Sequence, residues 1–181
     1  EALCTALEGV PLAIELAASR LAVLSPDEML ERLDERFKLL QTRAPDLPPR
    51  QRALRGAIDW SYELLGEGEK QLLSVLSVFA GGFSVAAAES VSDDFDALEN
   101  IAELQRHSFL RREAGGAKAR FAMLESVRVY AAEKLEELPD AQEFKLRHAA
   151  HFLKFAEKTG TLLRTRQEAA ALDQFWIERP N

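Results

Sequence analysis

Phe109-Leu110-Arg111-Arg112-Glu113-Ala114-Gly115-Gly116-Ala117-Lys118-Ala119-Arg120-Phe121-Ala122 is where the chain changes its period. Apolar residues recur at helical spacing on both sides of it. Within it, the short runs 109–112 and 118–122 flank two glycines, which adopt the positive φ of a tight hairpin turn at no steric cost. Upstream, Glu67 to Phe79 carries Leu72, Leu73, Leu76 and Phe79 on one face and ends in the turn Ala80-Gly81-Gly82-Phe83. Ser84 is placed to cap a short helix to about Val91, and Ser92-Asp93-Asp94 to cap another to about His107. Three helices and a hairpin, in that order, predict a winged helix. A helix from Gln51 to Leu65, with Leu54, Ala57, Ile58 and Leu65 on one face, precedes it; another follows, to about Leu138.

Prolines and glycines divide the rest. Pro45, Pro48 and Pro49 each disfavour helix at the preceding residue, so 42–50 reads as a linker and 51–138 as the winged-helix domain. Before the linker, 1–41 reads as the end of a helical bundle. Residues 1–8 close one helix, and a second begins at Pro11, after Gly9, and runs to Leu24 with only Glu15, Ser19 and Arg20 polar. Ser25-Pro26-Asp27-Glu28 is a capping box that starts a third, with Met29, Leu30, Leu33 and Phe37 facing inward. Pro139 opens the last segment, 139–181. It holds an amphipathic helix around Phe144, His148, Phe152 and Phe155, and a second from about Leu162 to Ile177. By analogy these begin an α-solenoid of the tetratricopeptide kind, although 139–181 contains no internal repeat of about 34 residues. The predicted fold class is mainly α: a helical remnant, a winged helix with a short hairpin, then the first helices of a repeat region.

At 181 residues, 47% hydrophobic and 29% charged, the chain has the composition of an ordinary globular protein. Glu1 at the start and Asn181 directly after helical sequence suggest a piece of a longer protein. No run approaches the roughly 18 apolar residues of a membrane span, and the lone Cys4 fits a reducing compartment. Both point to a cytoplasmic location without membrane contact. A net charge of −7 argues against broad, non-specific nucleic-acid binding.

Side chains that could carry chemistry are few. There is no Gly-x-x-x-x-Gly-Lys-Ser/Thr loop for phosphates and no strand ending in paired acids for magnesium. His148 and His151 share a metal-ligand spacing, but no third ligand from a Cys or clustered acid is evident nearby, and packing or surface positions are the expected role. Ser61 beside Tyr62 has neither a glycine elbow nor a partner base. No catalytic and no metal residue is assigned. The segment Ser92 to His107 sets Asp93, Asp94, Asp96, Glu99 and Glu103 against Arg106 alone, a poor face for a groove lined with phosphates. The hairpin is basic, with Arg111, Arg112, Lys118 and Arg120. By composition alone, Gly9-Val10-Pro11 is a well-packed helix start.

The wording is more specific than the composition. Gly9-Val10-Pro11-Leu12-Ala13-Ile14-Glu15-Leu16-Ala17-Ala18 resembles the Gly-x-Pro motif in the lid of STAND (NB-ARC-type) regulatory ATPases, especially those of bacterial transcriptional regulators. Ile58-Asp59-Trp60-Ser61-Tyr62-Glu63-Leu64-Leu65 and Glu69-Lys70-Gln71-Leu72-Leu73 look like the opening of the winged helix that follows that lid. Phe121-Ala122-Met123-Leu124-Glu125 sits where many relatives carry Met-His-Asp. The resemblance implies an ADP/ATP switch regulating transcription, its magnesium and catalytic loop held by a nucleotide-binding domain of the same chain upstream. It implies Pro11 on the adenine, Gly9 at the turn, and Leu124 and Glu125 facing the phosphates, although Leu124 has no donor for them. The winged helix is then a packing module without direct nucleic-acid contact, and a protein or ligand signal acts at the C-terminal repeats. The alternatives are a protein-interaction module that meets no nucleotide, and a DNA-binding winged helix.

Overall fold

A computed structural model describes residues 2–7, 10–21, 23–32, 48–92, 96–113 and 119–181. The elements are α1 (Ala2–Ala6), α2 (Pro11–Ala18), α3 (26–32), α4 (Pro49–Glu63), α5 (Glu67–Leu76), β1 (Phe83–Ser84), α6 (Val85–Ser92), α7 (Ala97–Arg106), β2 (Arg111–Arg112), β3 (Arg120–Ala122), α8 (Glu125–Glu136), α9 (Ala141–Gly160) and α10 (Glu168–Glu178). The protein is mainly helical, with one small antiparallel sheet in the order β1-β3-β2. Phe83 faces Phe121 in register, and Arg111 faces Ala122.

The core forms around α5. Leu72, Leu73, Val75 and Leu76 are all buried, and α5 packs on α6, α7 and α8. Phe79 extends the core past the helix end, its ring 5.1 Å from that of Phe83, which lies 6.4 Å from Phe121. Burial of each such ring contributes on the order of 2–3 kcal/mol. Helix α8 is tied back to α4: the Tyr130 hydroxyl donates to Asp59 at 2.7 Å, and the Arg55 guanidinium, paired with Glu133, lies 4.8 Å over the Tyr130 ring.

A second cluster joins the N-terminal helices to α4 through Leu7, Ala13, Ala17, Met29, Ala57 and Trp60. Helix α2 serves both, because Leu12 and Leu16 on its other face belong to the main core. The capping box forms as its spacing predicts: the Ser25 N–H donates to Glu28 at 2.8 Å, and the Glu28 N–H to Ser25 Oγ at 3.3 Å. Ser84 also caps as expected, accepting the Ala87 N–H at 3.2 Å.

Several boundaries differ from the sequence reading. The helix beginning at Pro11 ends at Ala18 instead of Leu24, where Ser19 Oγ bonds back to the Leu16 carbonyl and the chain turns. Helix α4 starts at Pro49, inside the segment read as linker, since proline fits the first turn of a helix as well as it breaks an interior. Phe83 and Ser84 form a third strand instead of part of a turn, a pairing made with β3 and invisible locally. The last helix starts at Glu168, well after Leu162. The glycines 115 and 116, the linker residues 42–47 and the inward-facing Leu33 and Phe37 lie outside the described residues.

Candidate functional site

Two adjoining features converge at the C-terminal end of α7: the outward face of α7 with β2, and a cleft between that corner and α2. On α7, Ile101 and Leu104 are buried at helical spacing, which turns Leu98, Glu99, Ala102, Gln105 and Arg106 outward. Arg106 is bound to Glu103 at 2.6 and 2.7 Å, so the outward face carries little free positive charge until β2, where Arg111 and Arg112 are exposed.

Arg120, read from the sequence as a basic wing residue, is captured instead. Its side chain is 15% exposed, pairs with Glu178 of α10, bonds Glu113 at 3.2 Å and donates to the Gly82 carbonyl at 2.6 Å. Asn181 completes this clasp by accepting the Gly81 N–H at 2.8 Å and donating to the Gly82 carbonyl at 3.0 Å. A Cβ at Gly82 would stand 2.4 Å from Glu113 Oε2, so a larger residue there displaces the Glu113 carboxylate from its place beside Arg120. The expected basic hairpin is thus reduced, among the described residues, to Arg111 and Arg112.

The cleft has a volume of about 410 Å3 and is lined by Glu15, Gln105, Ser108, Phe109, Leu110, Arg111, Arg112 and Leu124. Near this corner, Arg20, after the end of α2, ties the N-terminal helices to α4 and to the end of α7. Arg20 is only 6% exposed; it donates to the Ser61 carbonyl at 2.9 Å and to His107 Nε2 at 3.3 Å. Arginine has no acceptor, so His107 must receive at Nε2 and keep its proton on Nδ1, which has no partner among the described residues. Burial, and then the Arg20 charge, hold His107 below the usual imidazole range.

Of the residues singled out for nucleotide, Pro11 is exposed at the first position of α2. Leu124 is half-buried at the start of α8 and lines the same cleft as Glu15, one helical turn beyond Pro11. Glu125 is exposed and occupied by Arg128, at 2.7 and 2.9 Å. Gly9 lies outside the described residues. The structure therefore brings α2 and Leu124 to one cleft, and turns Glu125 to its own helix. His148 packs between the rings of Phe79 and Phe152, at 4.9 and 4.8 Å, and His151 lies 3.1 Å from Ser90 Oγ. Both are packing residues of α9.

The comparison with known families bears on this corner directly. A model described as a winged helix-turn-helix domain matches residues 65–136. These residues form a winged helix. A Mycobacterium tuberculosis protein named "Uncharacterized protein" is 39% identical over 155 residues, covering 82% of this chain and 39% of that protein. A second from the same organism, named "Putative HTH-type transcriptional regulator", is 37% identical over 164 residues, covering 88% of this chain and 18% of that protein. Mycobacterium bovis has counterparts with the same figures. The chain thus spans 39% and 18% of the lengths of these relatives. No solved structure matches it. The domain match and the regulator's name favour the DNA-binding alternative over the nucleotide switch, and run against the expectation of no nucleic-acid contact. Among the described residues, no helix is long and apolar enough to cross a membrane.

Proposed function

We propose that this chain is the winged-helix segment of a cytoplasmic transcriptional regulator, meeting duplex DNA at the corner formed by the end of α7 and β2. The observation that carries the reading is the element order α5, β1, α6, α7, β2, β3 over the residues that match the winged helix-turn-helix domain. Gln105 and Arg106 stand at the groove-facing end of α7, and Arg111 and Arg112 stand where a wing meets phosphate. Asp96 and Glu99 repel phosphate from the other end of α7, so the contact is small and its salt slope is shallow, carried mainly by Arg111 and Arg112. Fluorescence anisotropy with a labelled duplex, titrated with salt, tests this. Binding with a log–log salt slope that falls by about 2 in the Arg111→Ala, Arg112→Ala double variant supports it, at about 1 per lost phosphate contact. An absence of binding even at about 50 mM salt refutes it.

A second reading, favoured by the exposed Pro11 at the start of α2, the helix whose Glu15 lines a cleft with Leu124, is a packing module governed by ADP or ATP. In that reading Pro11 lies on the adenine, residues outside this chain hold the phosphates and magnesium, and the two nucleotides bind two packings with different affinity. Purifying a longer chain with about 300 residues of upstream sequence, a span set by ordinary domain sizes, and identifying any nucleotide released on denaturation separates the readings. Stoichiometric ADP that is lost in Pro11→Ala favours the switch. No nucleotide from a folded protein removes it.

A further inference from the structure

We propose that Arg20 and His107 form a proton-operated latch between the N-terminal helices and the winged helix. With its ring neutral, His107 holds Arg20; with its ring protonated, it turns to Glu103 and lets Arg20 go. Arg20 follows α2 and His107 is the C-cap of α7, and the two meet with Nη1 of the guanidinium 3.3 Å from Nε2 of the ring. Arg20 is buried, and its side chain makes one other hydrogen bond among the described residues, to the Ser61 carbonyl at 2.9 Å. Its Nε has no partner among them. The bond to His107 is therefore a large share of what satisfies a charge removed from water.

That bond exists in one protonation state only. A guanidinium donates and never accepts, so Nε2 can receive from it only while it carries no proton. A proton there removes the lone pair and sets one cation against another at 3.3 Å, where burial weakens the screening that water provides. An acceptor for the protonated ring is already in place: Glu103 Oε2, one turn back on α7, stands 4.0 Å from the same nitrogen. The charged groups that face the ring divide into two sides. Glu103, Glu69 of α5 and the C-terminal end of α7 favour the protonated form; burial, Arg20 and Arg106 favour the neutral one and prevail at neutral pH. Both carboxylates are fixed, Glu69 by the Gly66 N–H at 3.0 Å and Glu103 by Arg106, so the choice between the two states falls to the ring. Leu12 and Leu16 keep α2 in the main core, so an open latch loosens α1 to α3 without detaching them. The latch does not depend on duplex or nucleotide binding.

The test is NMR of the isotope-labelled 181-residue chain. Ring nitrogen shifts and amide protection factors are followed from about pH 7.5 to about pH 5, a window set by the imidazole pKa. At the upper end His107 carries its proton on Nδ1, the tautomer that leaves Nε2 to Arg20; this is read on the unaltered chain and needs no variant. As the ring protonates, protection across α1 to α3 falls about tenfold while α5 to α8 hold. His107→Gln, whose side-chain carbonyl accepts from Arg20 at every pH, abolishes that fall. Arg20→Met lowers protection of α1 to α3 at both ends of the window. Glu103→Gln moves the midpoint to lower pH, because the protonated ring loses its acceptor. A proton on Nε2 at the upper end, a ring that stays neutral down to about pH 5, or an undiminished fall in His107→Gln overturns the latch. A midpoint unmoved in Glu103→Gln overturns the turn of the ring toward that carboxylate.

Discussion

At the scale of single residues, the informative side chains are charged or ionisable groups taken out of water. Arg120 is the clearest. Replacing it with alanine leaves Glu178 and Glu113 without their cation and the Gly82 carbonyl without that donor. Charge-assisted bonds of this partly exposed kind are worth about 2 kcal/mol together after discounting for solvent, so the urea midpoint of Arg120→Ala falls accordingly. Hydrogen exchange at the C-terminal end of α10 accelerates in the same variant. The histidines make a prediction about pH. Burial is the first cause that lowers His148, with His151 adding to it; burial also lowers His151, with Glu178 opposing; and burial lowers His107, with Arg20 adding. A folded pKa below the unfolded value of about 6.5 means that the unfolded chain binds more protons. The stability these groups allow is therefore intact above about pH 6.5 and is lost as pH falls toward the folded values. Thermal melts from pH 7.5 down to pH 5.5, an approximate window set by the imidazole pKa, show a falling Tm. His148→Leu flattens that fall, because its Nε2 is buried without a partner among the described residues.

At the scale of elements, α5 and the α4–α8 pair carry the winged helix. Leu73 is fully buried in α5, and Leu73→Ala costs about 2–5 kcal/mol, depending on how far the cavity relaxes. Tyr130→Phe is a finer probe. It keeps the ring between Tyr62 and Arg55 and removes only the hydroxyl that donates to Asp59, a loss of about 1–2 kcal/mol by chemical denaturation. A change below about 0.3 kcal/mol in Tyr130→Phe would show that α8 is held to α4 by the ring and the Arg55–Glu133 pair alone. Burial pushes the Tyr130 hydroxyl well above its usual range, and the Asp59 bond adds to it, so it remains a donor at all working pH.

At the scale of the molecule, three bodies of helix meet on the winged helix, two through a polar lock and one through aromatic packing. Arg20 joins the N-terminal helices to α4 and α7, the Arg120–Glu178–Asn181 clasp joins α10 to the sheet, and His148 with Phe152 joins α9 to Phe79. Replacing Arg20 with methionine keeps bulk but removes the bonds to Ser61 and His107. Amide exchange is then expected to rise across α1 to α3 while α5 to α8 stay protected, because α2 still shares apolar residues with both clusters. Uniform acceleration across the chain would instead mean that these helices and the winged helix unfold as one unit.

Local order was legible in the sequence itself. Leu72, Leu73 and Leu76 recur on one face of α5, Ser25 and Glu28 close a capping box, and paired glycines separate the two runs that become β2 and β3. Each depends on residues only a few positions apart, and spacing records such relations directly. The candidate site was less legible. The sequence marked Pro11 and Leu124 but offered no sign that Glu15, Arg111 and Arg112 would line one cleft. Only the tertiary structure decided which charges remain free: Arg120 is bound by Glu178 from 58 residues away, and Arg20 is buried against His107 from 87 residues away. A charged side chain's role depends on what it meets after folding, and partners that far apart leave no trace in local period or composition.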